Sequence, residues 1–244
     1  FLRGFNIIFR SPSCLPTTLQ LKSEQKRGAI VSSEVDMLMN VCPCKIIGIT
    51  GSDGKTTTTT LIYEILKSAG YNCHLSGNNG MPLFTQAKKI NEDDILILEL
   101  SSFQLMDMEV SPDISVITNI SPNHLDKHKD YEEYIEAKKN IFKFQDKNGK
   151  LILNYDNDIT KTCSTEAEGK VVFFSSKNKL NDGIIYEDGI IKECKDGVRK
   201  HILDVKDIIL RGVHNYENIC AAIAATSDLV DTETQINAIK KFKG

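Results

Sequence analysis

The sequence lacks the features that mark membrane-spanning or exported proteins. None of its apolar runs approaches the roughly 20 residues that a bilayer requires, and we therefore expect no membrane insertion. The apolar and basic start, FLRGFNIIFR, is too short for a signal peptide and has no cleavage site. Because the chain also begins without Met, we expect that its natural N-terminus lies further upstream.

Paired cysteines of the C-x-x-C type are missing as well, although the chain has seven cysteines. The closest spacing is Cys42-Pro43-Cys44, which is too tight for the usual zinc knuckle. An odd number of unpatterned cysteines is typical of reduced thiols in a cytosolic protein. The sequence therefore predicts a cytoplasmic location.

The sequence also has no excess of charge of one sign. Its 30 Lys and Arg and 33 Asp and Glu give a formal net charge of −3, and both signs are mixed along the chain. Nucleic-acid and membrane-surface proteins show a basic patch instead, and we expect neither kind of partner. A hydrophobic share of 41% is enough to bury a core.

Alternating strand and helix patterns fill residues 45 to 175. Strands are predicted at 45–50, 71–75, 95–100, 114–118, 151–153 and 171–174. Helices are predicted at 55–69, 82–90 and 131–144. The alternation indicates an α/β fold with a doubly wound, mostly parallel sheet of the P-loop type.

The two ends of the chain differ from this pattern. Asp-Gly pairs at 182, 188 and 196 separate short apolar pieces, and they predict a small antiparallel β appendage with strands at 184–186, 190–191, 202–205 and 208–210. Helices are predicted at 215–229 and 232–242. Residues 1–44 do not look like a complete domain, and we therefore divide the chain into 1–44 and 45–244.

A glycine-bearing loop, G-I-T-G-S-D-G-K-T over residues 48–56, joins a predicted strand to a predicted helix. Backbone N–H groups of such a loop and of the helix start point at an anion. Lys55 would reach terminal phosphates, and the Thr56 hydroxyl would ligate Mg²⁺. The strict G-x-x-x-x-G-K-[ST] pattern is not met, because Ile49 stands where its first glycine belongs. The alternative is a glycine-rich turn with a surface lysine.

A carboxylate closes the apolar strand I-L-I-L-E-L. Glu99 must be paired or bound to a cation, because a lone buried carboxylate costs several kcal/mol. The carboxyl end of a parallel strand beside a phosphate loop is the usual ligand crevice. Glu99 is therefore either the ion-pair partner of a nearby lysine or a Mg²⁺ ligand beside nucleotide phosphates.

The loop variant T-G-x-x-G-K-T resembles the loop of the Mur ligases, folylpolyglutamate synthases and related amide-forming ligases. Further segments resemble the Mur family in order: S-G-N-N-G-M-P at 76–82, E-L-S-S-F-Q-L at 99–105, T-N-I-S-P-N-H-L-D at 118–126 and G-V-H-N-Y-E-N at 212–218. E-L-S-S-F-Q-L is similar to the D-glutamate-adding branch, whereas the diaminopimelate- or lysine-adding branch usually reads E-V-S-S-H-A-L. The resemblance is strongest over residues 48–145.

The resemblance implies a plan of three domains, for the acceptor, for ATP and for closure over both. Residues 1–44 would then be a remnant of the N-terminal UDP-substrate-binding domain, and residues 45–244 the central ATP-binding domain. The first half of the acceptor domain and the whole C-terminal domain are expected to lie outside this chain. The chain by itself is therefore expected to be inactive.

The activity that the resemblance implies is ATP-dependent addition of D-glutamate to UDP-N-acetylmuramoyl-L-alanine through an acyl phosphate, in peptidoglycan precursor synthesis. It implies ATP, two Mg²⁺ ions, small-molecule substrates and a monomer. Three alternatives stay open: a related ligase that adds another amino acid, a P-loop NTPase that only hydrolyses nucleotide, and a catalytically incomplete nucleotide-binding core.

The same resemblance assigns roles to individual residues. The expected catalytic residues are Lys55, Glu99, His124 and Lys138. The expected metal ligands are Thr56, Glu99, His124 and Lys138 as a carbamate. Nucleotide contacts are expected from Gly51, Ser52, Asp53, Gly54, Lys55, Thr56, Thr57, His214, Asn215 and Asn218. Substrate contacts are expected from Ser11, Pro12, Asn78, Ser101, Gln104 and His124.

Carbamylation of Lys138 has a chemical rationale. Burial near cations lowers an amine pKa from about 10.4, the neutral amine can add CO₂, and the two carbamate oxygens suit Mg²⁺. Without the resemblance, Lys138 would be read as a solvated helix residue, His124 as a structural histidine and residues 212–218 as a helix N-cap.

Two positions depart from the family pattern. Asp53 stands where the family prefers Asn, and an acid beside the phosphates is expected to weaken ATP binding. Ser13 stands where S-P-G is usual, and it is expected to alter the acceptor contact of the glycine backbone. Phosphoryl transfer needs no side-chain nucleophile, and Ser101 and Ser102 are therefore expected to position the substrate.

Overall fold

The computed structural model describes residues 2–77, 87–123 and 127–244. The strands in these ranges are β1 Ile7–Arg10, β2 Ile30–Ser33, β3 Lys45–Thr50, β4 Cys73–Gly77, β5 Ile95–Glu99, β6 Ile114–Ile117, β7 Lys150–Asn154, β8 Lys170–Ser175, β9 Gly183–Glu187, β10 Ile190–Lys195 and β11 Val198–Asp204. The helices are α1 Leu19–Lys26, α2 Glu34–Val41, α3 Lys55–Ser68, α4 Ser102–Leu105, α5 Tyr131–Lys143, α6 Asp158–Cys163, α7 Val213–Thr226 and α8 Thr232–Lys241. Short 3-10 turns cover Ala87–Lys89 and Val205–Asp207.

The main sheet has nine strands in the order β11-β10-β9-β8-β7-β6-β3-β5-β4. Pairing is parallel from β4 to β9 and antiparallel between β9, β10 and β11. Strand β3 lies between β5 and β6. The chain first adds β4 and β5 on one side of β3 and then adds β6 and the later strands on the other side. Ligands of open α/β sheets bind at such a switch point, beyond the carboxyl ends of the strands.

Both faces of the sheet are covered, which explains the continuous apolar runs of its central strands. Alternate residues of β3 and β5 enter different cores. Ile47 and Ile97 face the core that α3, α7 and α8 build, whereas Ile46 and Leu96 face the core that α2 and α5 build. Because successive side chains of a strand point to opposite faces, the sheet packs against helices on both sides.

A smaller unit precedes the main sheet. Strands β1 and β2 pair in parallel with Ile7 opposite Ile30, and the buried residues Ile8, Leu21 and Ala29 form a separate small core. Helix α2 does not belong to that core, because its residues Val35, Leu38 and Met39 are buried against the main sheet. The division at residues 44 and 45 stays a prediction about domain organisation.

The predicted α/β class with a mostly parallel sheet is confirmed, and several local features differ from the prediction. Helices α4 and α6 were not predicted. The antiparallel strands extend the main sheet, because β9 pairs in parallel with β8. A strand predicted at 208–210 is absent from the described residues: Arg211 donates to the Val205 carbonyl at 2.6 Å and closes a turn there. Of the helix predicted at 82–90, residues 87–89 form a 3-10 turn and residues 82–86 lie outside the described ranges.

No helix within the described ranges combines the length and the apolar character needed to cross a bilayer.

Candidate active site

The glycine-bearing loop of residues 48–56, called the phosphate loop below, runs between β3 and α3 and lies close to the end of β6. Gly51 has φ of 152° and Gly54 has φ of 80°. A Cβ on Gly51 would lie 1.8 Å from the Thr118 hydroxyl oxygen, and a Cβ on Gly54 would lie 2.3 Å from Asn218 Oδ1. Both backbone conformations favour glycine. A Cβ on Gly51 would collide with Thr118, and a Cβ on Gly54 would have to displace the Asn218 side chain.

The end of β6 fixes the loop through hydrogen bonds. The Ser52 N–H donates to the Asn119 carbonyl at 2.9 Å, and the Asp53 N–H donates to Asn119 Oδ1 at 3.0 Å. The Thr118 hydroxyl donates to the Asp53 carbonyl at 2.6 Å. The Thr-Asn pair of the 118–126 motif therefore holds the loop in shape, a role the sequence interpretation did not include.

A second set of contacts connects the loop to helix α5. The buried Ser52 hydroxyl donates to the Ser121 carbonyl at 3.0 Å and lies 2.8 Å from the Tyr134 hydroxyl. The Tyr134 ring also lies 4.8 Å from the Lys138 amine. Tyr134 was not among the predicted site residues, although its position four residues before Lys138 puts both on one helix face.

Two lysine amines meet at one carbonyl of the loop. The Lys55 amine donates to the Gly51 carbonyl at 2.9 Å and to the Ser52 carbonyl at 2.9 Å. The Lys138 amine donates to the same Gly51 carbonyl at 2.8 Å and to the Thr50 hydroxyl at 3.3 Å. Lys138 is only 2% exposed, and the alternative of a solvated surface lysine is therefore wrong.

Burial and the neighbouring Lys55 charge both disfavour the protonated form of Lys138. Burial and, after it, the Lys55 charge lower the pKa of Lys138 to about 7, although the Asp53 carboxylate opposes them. Burial also lowers the pKa of Lys55, and the charges of Glu99 and Asp53 offset part of that effect. Near neutral pH, Lys138 is therefore poised to exist in part as a neutral amine.

Glu99 is the last residue of β5 and is 3% exposed. Its position in register with Ile49 of β3 and Gly77 of β4 puts it at the carboxyl edge of the sheet, next to the phosphate loop. The negative charge of Glu99 partly offsets the lowering of the Lys55 pKa by burial. The ion-pair and metal-ligand interpretations of Glu99 are both compatible with this placement.

A cavity of about 540 Å³ opens above the loop. It is lined by residues of the N-terminal unit, the phosphate loop, α4 with its N-cap, the segment before α5, and α5: Pro12, Ser13, Leu15, Gly51, Ser52, Lys55, Ser101, Ser102, Phe103, Lys127, Tyr134 and Lys138. The two lysine amines and the predicted acceptor residue Pro12 therefore border the same space. Ser11 is exposed, and its hydroxyl lies 2.9 Å from that of Ser13.

The predicted substrate residues Ser101 and Gln104 form the N-terminal cap of α4. The Ser101 N–H donates to Gln104 Oε1 at 2.9 Å, and the Gln104 N–H donates to Ser101 Oγ at 3.3 Å. This reciprocal capping box satisfies helix-start donors. Ser101 lines the cavity, whereas Gln104 is buried at 4% exposure and holds Ser101 in place.

The predicted nucleotide residues at the start of α7 divide into two groups. Asn218 is 6% exposed and accepts from the Thr58 hydroxyl at 3.3 Å, beneath Gly54. His214 is exposed, and the half-buried Asn215 donates to the Arg211 carbonyl at 2.6 Å. Asn218 therefore supports the loop from below, and the other two remain accessible to a ligand.

The remaining predicted residues are placed as follows. Asp53 and Thr56 are exposed at the loop and the helix start, and Thr57 is half-buried. Asn78 and His124 lie outside the described residues. The described ranges hold no cluster of three or more His, Cys, Asp or Glu side chains that could bind a metal by themselves.

Comparison with known families identifies the family of this chain. A model of the Mur ligase middle domain matches residues 49–226, which is most of the chain. The chain therefore belongs to the Mur ligase family.

Two curated relatives that carry the same name illustrate the match. The chain is 48% identical over 243 residues to the UDP-N-acetylmuramoylalanine–D-glutamate ligase of Ruminiclostridium cellulolyticum. It is 45% identical over 243 residues to the ligase of the same name from Acetivibrio thermocellus. Each alignment covers 100% of this chain and 52% of the relative. The chain thus spans about half the length of the curated relatives it matches.

Solved structures show the same fold. A UDP-N-acetylmuramoyl-L-alanyl-D-glutamate–2,6-diaminopimelate ligase aligns with a TM-score of 0.69 at 22% identity, over 98% of this chain and 63% of that one. A pseudomurein peptide ligase type C from Methanothermus fervidus aligns with a TM-score of 0.65 at 21% identity, over 98% and 58%. Identities this low support the shared fold alone.

Proposed function

We propose that the chain is the ATP-binding part of a ligase that adds D-glutamate to UDP-N-acetylmuramoyl-L-alanine in peptidoglycan precursor synthesis. The observation that carries the proposal is the meeting of two lysine amines at the Gly51 carbonyl, beside a cavity shared with the acceptor-side residue Pro12. The motif E-L-S-S-F-Q-L and the name of the curated relatives support D-glutamate as the added amino acid. A cytoplasmic monomer is part of the proposal.

In the proposed reaction, the loop binds the phosphates of ATP and the substrate carboxylate attacks the γ-phosphorus. The bond from the γ-phosphorus to the bridging oxygen breaks, ADP leaves, and an acyl phosphate remains on the acceptor. The amine of D-glutamate then attacks the acyl carbon, and phosphate leaves. Loop amides and Lys55 stabilise the charge of the transferring group, and the walls of the cavity hold the reactants in line.

The residues present fit magnesium. Glu99 is buried at the edge of the loop, Thr56 stands at the helix start, and Lys138 has a pKa low enough to react with CO₂ near neutral pH. Mg²⁺, when bound, would neutralise phosphate charge and help to orient the γ-phosphate. The set Thr56, Glu99, His124 and carbamylated Lys138 remains our proposal for two such ions.

Ser102 is the competing candidate for a chemical role. Its hydroxyl lies 2.9 Å from His128 Nε2, as in a nucleophile–base pair. The carboxylate that faces the other ring nitrogen, Glu133 Oε2, is 3.5 Å from His128 Nδ1, which is too long for an orienting hydrogen bond. Ser102 is also 3% exposed. We therefore assign Ser102 a positioning role.

The test measures phosphate release by the protein made from the full reading frame that contains this chain. UDP-N-acetylmuramoyl-L-alanine and Mg-ATP are supplied with D-glutamate, L-glutamate, L-lysine or diaminopimelate. Lys55→Ala is expected to lose at least 100-fold in rate, since it removes a phosphate-binding cation. Lys67→Ala, at the exposed end of the same helix α3, is the matched control and is expected to keep full activity.

Release that requires D-glutamate and Lys55 would support the proposal. Release without any amino acid would replace it with the NTPase alternative. Release with another amino acid would move the protein to another branch of the family.

A further inference from the structure

Arg10 ends strand β1 with its side chain turned inward. Exposed and buried residues alternate along β1, which puts Ile8 and Arg10 on the covered side. The Arg10 side chain is 0% exposed. A guanidinium in such a place needs carboxylate and carbonyl partners, because a buried charge without them is strongly unfavourable.

Four hydrogen bonds surround this guanidinium. Nε donates to Asp107 Oδ2 at 2.7 Å, and Nη2 donates to Asp107 Oδ1, which makes a two-pronged pair. Nη2 also donates to the Phe103 carbonyl at 2.9 Å, and Nη1 donates to the Cys14 carbonyl at 3.3 Å. This planar fork is a geometry that arginine offers and lysine does not.

The partners of Arg10 belong to two different walls of the cavity. The Cys14 N–H donates to the Ser11 carbonyl at 2.9 Å and closes the Ser11–Cys14 turn, which carries the cavity residue Pro12. Phe103 and Asp107 belong to α4 and to the residues just after it, and α4 begins at the cavity. Arg10 therefore bridges the N-terminal unit and the main sheet at the place where both line one space.

We propose that Arg10 is a positioning residue for the acceptor. Its fork onto Asp107 and the Phe103 carbonyl holds the Ser11–Cys14 turn at a fixed distance from the phosphate loop. An acceptor seated against Pro12 and Ser13 then presents its carboxylate in line with the γ-phosphate. The inference rests on the proposed function for the nature of the acceptor, and on the contacts of Arg10 for the rest.

Nucleotide binding should not depend on this bridge. The contacts that shape the phosphate loop come from Thr118, Asn119, Ser121 and Tyr134, and none of these contacts involves Arg10. Loss of the fork should therefore weaken use of the acceptor and leave use of ATP unchanged. A purely structural role would lower stability and impair both together.

Two conservative substitutions test the inference in the protein made from the full reading frame. Arg10→Lys keeps the charge and loses the fork, and Asp107→Asn keeps the shape and loses the charge. Arg27→Lys is the matched control, because Arg27 lies in the same unit and its side chain donates to two residues of that unit, to Glu24 at 2.6 Å and to the Phe5 carbonyl at 2.7 Å. Amide hydrogen exchange over residues 11–15 and the KM values for acceptor and ATP are measured.

Faster exchange over residues 11–15 is expected in both variants, together with a rise of about tenfold in the acceptor KM and an ATP KM within about twofold of the unsubstituted value. Unchanged exchange in both variants would overturn the inference. Faster exchange with an unchanged acceptor KM, or an equal rise in both KM values, would overturn it too. If the unsubstituted protein does not use the acceptor, the proposed function fails, while the exchange result still decides whether Arg10 holds the turn.

Discussion

At the scale of single residues, the site depends on where two lysines of α5 point. Lys138 turns to the loop and is 2% exposed, whereas Lys139 turns outward to Glu136 at 2.8 Å and Glu166 at 2.9 Å. Partial burial disfavours the charged form of Lys139, but the two glutamates outweigh it and raise its pKa above the ordinary value. Neighbours in sequence thus differ in chemistry because a helix turns them to different surroundings.

This contrast predicts which lysine reacts with CO₂. Only a neutral amine adds CO₂, and an amine with a pKa of about 7 becomes neutral as the pH rises through 7. We therefore expect a ¹³C carbamate signal from labelled bicarbonate that grows between pH 6 and pH 8. Lys138→Gln should abolish the signal, and Lys139→Gln should keep it. A signal that survives Lys138→Gln would exclude the assignment.

At the scale of elements, helix α3 begins and ends at glycines in the left-handed region. Gly54 precedes it with φ of 80°, and Gly70 follows it with φ of 89°. A Cβ on Gly54 would lie 2.3 Å from Asn218 Oδ1, whereas a Cβ on Gly70 would meet no described atom within 4 Å. The two ends therefore share a backbone requirement and differ in their packing.

That difference in packing predicts that alanine at the two positions will lower stability and ATP affinity to different extents. Gly70→Ala should cost about 1–2 kcal/mol in the free energy of unfolding, from the left-handed backbone alone. Gly54→Ala should cost more, because Asn218 must move, and it should weaken ATP binding at least tenfold by shifting the loop amides. Urea unfolding and ATP titration measure the two effects. Equal ATP affinity in both variants would contradict the packing argument.

At the scale of the whole molecule, α2 connects two parts of the chain, and its buried apolar residues pack with the larger one. Val35, Leu38 and Met39 are buried in the core beneath β3 and β5, and the small core of β1, α1 and β2 is separate. A physical division near residue 33 would therefore leave each core intact. A division at residue 45 would remove four buried side chains from the larger core, those of Val35, Leu38, Met39 and Cys44.

Two shortened chains test this. A chain that begins at Glu34 should be more stable than one that begins at Lys45 by about 5 kcal/mol, since each buried apolar side chain contributes about 1.5–3 kcal/mol. Both keep the phosphate loop and should bind ATP where they are folded. Denaturant midpoints give the difference. Equal midpoints would show that α2 adds nothing to the larger core.

Much of the fold could be predicted from local sequence. The run KIIGIT, the loop after it and the helix from Lys55 occur as expected, because strand burial, glycine geometry and helix periodicity are encoded within a few residues. Asp188 and Asp196 adopt φ of 52° and 51° before glycines, as the D-G pairs predicted. The strand predicted at 208–210 was wrong. Ile208 and Leu210 pack against the core while Ile209 is exposed, and a short apolar run does not by itself distinguish such an irregular segment from a strand.

Short segments read along the chain were enough to predict strands β3 to β8, helices α3 and α5, the phosphate loop and the family. Only the tertiary structure decided that Lys138 is buried beside Lys55, that Asn218 supports Gly54, and that Arg10 reaches Asp107, 97 residues away. The physical reason is that burial and charge pairing depend on which distant segments meet. No local pattern of residues specifies those meetings until the sheet has brought the strand ends to one edge.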